Sequence, residues 1–224
     1  MSSHLAAISA RLARNLEARS AWGQKAVAHE LQQLIQALSP PPTLDELKAQ
    51  AAKCTRCQLA RSRSQVVFGT GPVPARLMII GEAPGAEEDR QGVPFVGAAG
   101  QLLSRMLQAV GIRREDCYIT NVVKCHPPRN RDPLPEEAAA CSEFLKEQLR
   151  LVDPQVICIL GRVAAQHLLG TPTPISRLRG KWVSVNGRKA MATFHPGYLL
   201  RNPLHKGLAY QDMKAIAAAL KGEG

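Results

Sequence analysis

The stretch LMIIGEAPGAEEDRQGVPFVGAAGQLLSRML, residues 77–107, limits the folds open to this chain more than any other. It opens with a short apolar run that ends at Gly81, as a buried strand does. GEAPG then predicts a tight turn, and apolar residues recur at helical spacing from Gly100 to Val110. A strand, a turn and a helix in this order indicate an α/β sheet, whose ligands bind beyond the carboxyl ends of the strands.

The rest of the chain repeats this alternation of strands and helices. Further strands are predicted over residues 118–123 and 156–160, and a hairpin over 182–185 and 189–194. Helices are predicted over 135–151, 161–169 and 208–221. Such alternation produces a mostly parallel sheet covered by helices on both faces. We therefore expect a three-layer α/β fold.

The N-terminal region has a different character. Residues 1–38 follow a helical pattern, and SPPPT at 39–43 is a stiff linker. We expect residues 1–43 to be a helical extension with a proline-rich linker, and residues 44–224 to be the functional domain. The Arg- and Ala-rich start is also compatible with an organellar presequence, although Glu17 and Glu30 favour an ordinary amphipathic helix.

Charge and apolar patterning narrow the class of protein. The formal net charge of +11 suits a polyanionic partner, nucleic acid first and an anionic membrane second. No run of about 18 apolar residues predicts a membrane span. The N-terminus also lacks the apolar core of a secretory signal, so we expect a cytoplasmic protein with reduced cysteines.

Four of the six cysteines form a candidate metal site. Cys54 and Cys57 make a C-x-x-C pair, Cys125 follows the second strand, and Cys141 lies on the next helix. Zinc and an iron–sulfur cluster are both compatible with such thiolates, and the uneven spacing favours the cluster. The alternative is a redox-active C-x-x-C pair with the others in the core. We assign the two remaining cysteines to the core: Cys117 and Cys158.

Polar residues end three of the predicted strands. They are Glu82, Asn121 and His195. The ends of parallel strands meet at one rim of a sheet, so we expect these side chains to converge near Phe95. An amide presents a donor and an acceptor to the edge of a base, and an aromatic ring stacks on its face. The pattern indicates a pocket for a planar, hydrogen-bonding ligand.

Three sequence blocks carry a resemblance to a known family. GEAPGAEED with PFVGAAGQLL, TNVVKCHPP with NRDPLPEEAAAC, and FHPGYLLRNP resemble, in this order, motifs of the iron–sulfur (family-4) uracil-DNA glycosylases. The resemblance spans residues 44–220. It implies a four-stranded parallel sheet between helices, and a DNA repair enzyme that flips and excises uracil. It also implies that Cys54, Cys57, Cys125 and Cys141 bind a [4Fe–4S] cluster.

The same resemblance gives the pocket residues their expected roles. Phe95 would stack on the flipped uracil, Asn121 would read its amide edge, and His195 would face O2. Glu82 and Ala83 would complete the uracil pocket. In the best-known glycosylase family an Asp, credited with placing the water, aligns with Ala83, which cannot do this. Glu82 is therefore our catalytic candidate beside His195, and the rival is water placed by backbone groups with help from phosphate charge.

The expected partner is uracil-containing DNA, single- or double-stranded, bound by a monomer. Basic and apolar residues in predicted loops should contact it: Arg129, Arg131, Arg177, Arg179, Tyr198, Leu199, Leu200 and Arg201. His126 departs from the Arg of the family's KCRPP-like segment, which puts one DNA contact in doubt. The basic, His-bearing insertion of covalently trapping relatives is absent, which favours turnover.

Two other functions compete with this interpretation. One is a non-catalytic iron–sulfur or zinc module that binds DNA. The other is a nucleotide-binding transferase that uses GEAPG as a phosphate turn, which the lack of a Walker lysine or a G-x-G-x-x-G motif disfavours.

Overall fold

The computed structural model describes residues 42–222 of the chain, and the predicted extension therefore lies almost wholly outside the described residues. The strands are β1 (Leu77–Gly81), β2 (Cys117–Asn121), β3 (Val156–Leu160), β4 (Trp182–Val185) and β5 (Arg188–Thr193). The helices are α1 (Leu44–Ala52), α2 (Ala86–Gln91), α3 (Ala98–Ala109), α4 (Pro135–Val152), α5 (Arg162–Leu169), α6 (Ile175–Leu178), α7 (Pro196–Arg201) and α8 (Lys206–Lys221). No helix in this part of the chain has the length and apolar character that crossing a membrane requires.

The sheet has five strands in the order β2-β1-β3-β5-β4, one more than the four-stranded sheet expected from the resemblance. The first four strands of this order pair in parallel, so the parallel part matches the expectation. β4 pairs antiparallel with β5. The reason is the tight turn at Asn186 and Gly187, whose φ angles of 49° and 79° suit a two-residue hairpin.

Both faces of the sheet are covered, as the three-layer fold requires. Every residue of β1, β2 and β3 is buried. On one face Met78 and Ile80 pack in the same cluster as α1 and α4, and on the other Leu77 and Ile79 pack with α3 and α8. The alternation along β1 reflects the two-residue repeat of a strand. Cys117 and Cys158 are buried in the second cluster, where the sequence placed them.

The connection after β1 is more ordered than the sequence suggested. The acidic residues Glu87, Glu88 and Asp89 form the first turn of α2, where negative charge is stabilised by the helix dipole. α3 begins at Ala98, two residues before the predicted start, and α8 begins at Lys206 rather than Leu208. Phe95 lies in the short segment between α2 and α3, at the carboxyl edge of the sheet.

Candidate active site

A pocket of about 620 Å³ opens at the carboxyl ends of the parallel strands. Its walls come from the loops after β1, β3 and β5 and from the loop that precedes α4. The residues that line it include Glu82, Ala83, Phe95, Asp132, Arg162 and His195. The structure thus brings Glu82, Phe95 and His195 together, as the positions at the strand ends predicted.

Asn121 lies beside this pocket, at the last residue of β2, and its side chain shares the space over Gly81 with Phe95. A Cβ at position 81 would lie 2.4 Å from Asn121 Oδ1 and 2.5 Å from Phe95 Cζ, so a side chain there would displace both. Asn121 is only 1% exposed, and its Oδ1 has no hydrogen-bond partner within the described chain. An unpaired buried carbonyl oxygen is costly, which points to a ligand as its partner.

The Phe95 ring is held by its backbone. Phe95 has a φ of 55°, a conformation that a bulky residue rarely adopts. Arg114 Nη2 donates to the carbonyl oxygens of Pro94 and Phe95 at 2.9 and 2.8 Å, and Glu88 Oε1 accepts from the N–H groups of Val96 and Gly97 at 2.9 Å. The ring is therefore a fixed platform before any ligand binds. No sequence pattern predicted these roles for Arg114 and Glu88.

His195 is the N-cap of α7, and this fixes which ring nitrogen carries a proton. Its Nδ1 accepts the N–H of Gly197 at 3.0 Å, so in the neutral ring the proton is on Nε2. Burial, with a smaller effect of the positive charge of Arg201, lowers the pKa of His195 to about 4, against the opposing influence of Glu88. At neutral pH His195 is therefore an uncharged N–H donor. Its ring lies 5.7 Å from that of Phe95, centroid to centroid.

Glu82 is a pocket carboxyl group whose pKa is strongly raised. Burial, followed by the negative charge of Asp132 and a hydrogen bond to it, raises the pKa of Glu82 to about 7, and Arg162 opposes the shift. Asp132 and Arg162 form an ion pair at the pocket wall. The sequence did not single out either of them, since they come from distant loops. Ala83 also lines the pocket and offers only a methyl group.

The four predicted metal ligands line one small cavity between α1, the end of β2 and α4: Cys54, Cys57, Cys125 and Cys141. None of the four forms a disulfide bond. Arg63 Nη1 points at Cys125 Sγ at 3.2 Å, and the Lys124 N–H points at Cys141 Sγ at 3.4 Å. Donors directed at sulfur suit thiolate ligands, so the residues present fit a thiolate-bound metal group. Within residues 42–222, however, no three His, Cys, Asp or Glu side chains lie in positions that could hold a single metal ion.

The residues predicted to contact DNA fall into two groups. Arg131, Tyr198 and Arg201 line the pocket, and Arg129, Arg177 and Leu200 are exposed around it. Arg131 also makes a two-pronged ion pair with Glu137 at 2.8 and 2.7 Å.

The structure contradicts the DNA contact predicted for Leu199, and it gives Arg179 a partner within the chain. Leu199 is 0% exposed and packs with Leu102 and Phe194, because it faces inward from α7. Arg179 is partly buried and already has partners: its Nε donates to Asp212 at 2.9 Å and its Nη2 to the Leu208 carbonyl at 2.8 Å.

Two further residues matter around the pocket. Leu204, in the turn before α8, is 95% exposed, against 42% for Leu200, and the sequence pattern did not distinguish it. His126 Nδ1 bonds to the carbonyl oxygen of Pro84 at 2.9 Å, and the nitrogen must be the donor because a carbonyl only accepts. His126 therefore ties the loop after β2 to the loop after β1.

Comparison with known proteins agrees with this geometry. The model of the uracil DNA glycosylase superfamily matches residues 68–221. The type-4 uracil-DNA glycosylase of Thermotoga maritima is 46% identical over 176 residues, which cover 77% of this chain and 92% of that protein. The type-4 uracil-DNA glycosylase of Archaeoglobus fulgidus is 43% identical over 182 residues, 78% of this chain and 92% of that protein.

A more distant relative has a different type name. The type-5 uracil-DNA glycosylase of Pyrobaculum aerophilum is 30% identical over 217 residues, which cover 82% of this chain and 93% of that protein. The similarity is thus greater to the type-4 proteins, and it extends over nearly their whole length. This chain belongs to the uracil DNA glycosylase superfamily, and within it to the type-4 uracil-DNA glycosylases.

Proposed function

We propose that this protein removes uracil from DNA by hydrolysing the N-glycosidic bond and leaves an abasic site. The observation that carries the proposal is the unpartnered Oδ1 of Asn121 beside Phe95. The N3–H of uracil supplies the donor that Oδ1 lacks, and the Asn121 amide N–H₂ can donate to O4. The Phe95 ring stacks on the base. A base can reach these groups only after it has been extruded from the DNA stack.

The proposed hydrolysis depends on two other residues of the pocket, His195 and Glu82. As the bond between C1′ and N1 breaks, negative charge develops on uracil, part of it on O2, while the sugar becomes cation-like. The neutral His195 donates its Nε2–H to O2 and stabilises that charge. Water adds to C1′, and Glu82 accepts the proton that the water loses. A carboxyl group with a pKa of about 7 can accept and release a proton near neutral pH.

A uracil-release assay tests the proposed activity. Oligonucleotides that contain one deoxyuridine should yield free uracil and an alkali-labile site, in single strands, duplexes or both. Matched oligonucleotides with thymidine at that position should yield neither. A non-catalytic DNA-binding module would bind the same oligonucleotides and release no base, and that result would contradict the proposal.

We propose that the four cavity cysteines hold a [4Fe–4S] cluster: Cys54, Cys57, Cys125 and Cys141. The proposal is supported by their shared cavity, by the N–H groups directed at their sulfurs and by the type-4 relatives. When bound, the cluster would supply a covalent link between α1, β2 and α4. This part of the chain contributes thiols and the donors directed at them. It takes no part in cleavage of the glycosidic bond.

Replacing Cys141 with alanine is expected to remove iron and stability together. A metal site that forms only in the folded chain adds its binding free energy to folding. The purified variant should lose the broad absorbance near about 400 nm that thiolate-bound clusters give, along with its iron, and melt at a lower temperature. Cys158→Ala is the control, because Cys158 is also buried but lies on β3 in the core, outside the cysteine cavity. A Cys141→Ala protein with full iron content would refute the assignment.

We propose that DNA lies across the pocket mouth, against a surface formed by basic and apolar side chains. They are Arg129, Arg177, Arg201, Tyr198, Leu200 and Leu204. Exposed arginines are suited to phosphates, and apolar side chains can fill the space that a flipped base leaves. Leu204 takes the place given to Leu199 in the sequence interpretation, because it is almost fully exposed.

Two leucine variants test this change of assignment. Leu204→Ala should keep its melting temperature and lose uracil release from duplex DNA more than from single strands, since only the duplex has a stack to fill. Leu199→Ala should instead lower the free energy of unfolding by about 2–5 kcal/mol, the cost of a cavity in a packed core. Thermal melts and release assays on both substrates separate the two. Equal losses on both substrates in Leu204→Ala would count against the surface.

A further inference from the structure

Lys124 is a buried lysine that the proposed reaction does not use. It lies between Val123 and Cys125, and it is only 1% exposed. Its Nζ donates to Thr120 Oγ1 at 2.7 Å and to the Asn121 carbonyl oxygen at 2.6 Å. Both acceptors are neutral, and among the described ion pairs none joins Lys124 to a carboxylate. A buried ammonium group without an anionic partner is costly, so a partner of negative charge is to be expected.

The groups around Lys124 that can become anionic are cysteines of the cluster cavity. Cys125 follows it in the chain, and the Lys124 backbone N–H points at Cys141 Sγ at 3.4 Å. Lys124 itself is among the residues that line that cavity. Four thiolates outweigh the positive charge of an oxidised [4Fe–4S] core, so the assembly as a whole is anionic. It would provide the negative charge that Lys124 lacks.

We propose that Lys124 is the buried cation of the cluster site and a positioning residue for Asn121. The inference rests on the proposed cluster and on the proposed uracil-reading role of Asn121. Lys124 touches neither DNA nor the reacting atoms. It acts by joining the cysteine cavity to the segment that carries Asn121.

The hydrogen bonds around Lys124 show how the joint works. The lysine folds back over the residues that precede it, so one ammonium group holds both Thr120 and the carbonyl of Asn121. Thr120 Oγ1 in turn donates to the Phe68 carbonyl at 2.8 Å, and the Lys124 carbonyl accepts from Val67 N at 2.8 Å. These hydrogen bonds fix the turn from Asn121 to Cys125 at its start, through Thr120 and Asn121, and near its end, through Lys124. A shift at the cysteines is transmitted to Asn121 over a very short stretch of chain.

Three variants separate charge from hydrogen bonding. Lys124→Met removes both the charge and the donors at similar volume, Lys124→Gln keeps an N–H donor without charge, and Thr120→Val removes one acceptor without changing charge. Lys146→Met, an exposed lysine on α4, is the control for loss of a positive charge. Each protein is purified with its iron, and iron loss to a chelator, the reduction potential of the cluster and single-turnover uracil release are measured.

Lys124→Met should lose iron to the chelator about 10-fold faster and release uracil about 10- to 100-fold more slowly, the range typical of residues just outside a metal site. Its reduction potential should fall, because a nearby positive charge favours the reduced cluster. Lys124→Gln should lose iron as quickly but recover much of the release rate. Thr120→Val should slow release and leave the reduction potential and iron retention unchanged.

Other results would overturn the proposal. Wild-type iron retention and potential in both lysine variants would show that Lys124 is not the cation of the site. Unchanged release in Lys124→Met would show that it does not position Asn121. If Lys124→Met does not fold, Lys124→Gln decides by the same criteria for iron and potential. These two measurements stand even if the wild-type protein releases no uracil, so failure of the proposed function remains distinguishable.

Discussion

Replacing His195 with alanine is expected to slow single-turnover uracil release by about 10²–10³-fold, or about 2.7–4 kcal/mol of transition-state stabilisation. The Nε2–H is the donor that faces the leaving uracil, because Nδ1 already accepts the N–H of Gly197. Charge on O2 develops only as the bond breaks, so binding of uracil-containing DNA should be nearly unchanged. Rapid-quench kinetics beside a binding titration measure the two effects separately.

His167→Ala is the control for this experiment, since His167 lies on α5 and does not line the pocket. The wild-type rate should also show no loss from His195 protonation until the pH approaches its pKa of about 4. A His195→Ala enzyme as fast as wild type would remove His195 from the mechanism. A large loss of DNA binding in the variant would place it in recognition instead.

Replacing Glu82 with glutamine is expected to slow uracil release by roughly 10²-fold or more, because the amide keeps the shape of the carboxyl group and loses its basicity. The pH dependence should change as well. With a pKa of about 7, Glu82 is half ionised near neutral pH and becomes mostly ionised above it, so the wild-type rate should rise with pH through about 7. The Glu82→Gln rate should lack this rise. Single-turnover rates across the neutral range measure both effects.

Stability gives an independent check on Glu82. Its pKa is raised from 4.5 to about 7, so between these values the folded chain holds a proton that the unfolded chain has released. Stability contributed by this group is therefore full below about pH 4.5 and falls as the pH rises through about 7. Glu82→Gln should weaken that fall in chemical denaturation. A variant with a wild-type rate and an unchanged pH profile would assign the water to backbone groups, the rival mechanism.

The features that could be predicted from the sequence are those that depend on local patterns of apolar and polar residues. Apolar runs gave the buried strands, and the polar residue after each run gave Glu82, Asn121 and His195. Because parallel strands share one carboxyl edge, their convergence followed from topology alone. The clustering of the four distant cysteines around one cavity was likewise expected from the resemblance. Their roles as ligands and those of the pocket residues as catalysts stay predictions.

The sequence could not show side-chain partners that are far apart in the chain. Leu199 and Leu200 look equivalent in the sequence, yet of these two α7 residues only Leu199 faces the hydrophobic core. The sequence suggests that Arg179 is an unpaired loop arginine, whereas in the structure it donates to Asp212 of α8. The supports of Phe95 and the carboxyl neighbour of Glu82 are also contacts between separate elements. Such pairings depend on the final packing, which no local pattern contains.

The path of the chain around the cysteine cavity has a consequence for how the protein comes apart. Cys54 and Cys141 bracket β1, Phe95 and β2, whereas β3, β5 and His195 follow beyond the last ligand. The proposed cluster would restrain only the segment between Cys54 and Cys141, because closing a loop restricts the residues inside it. α7, which has His195 as its N-cap, lies outside that loop, so it can open locally without releasing iron. Iron content would then overstate the fraction of active enzyme in an ageing preparation, and the segment between Cys54 and Cys141 would resist proteolysis longest.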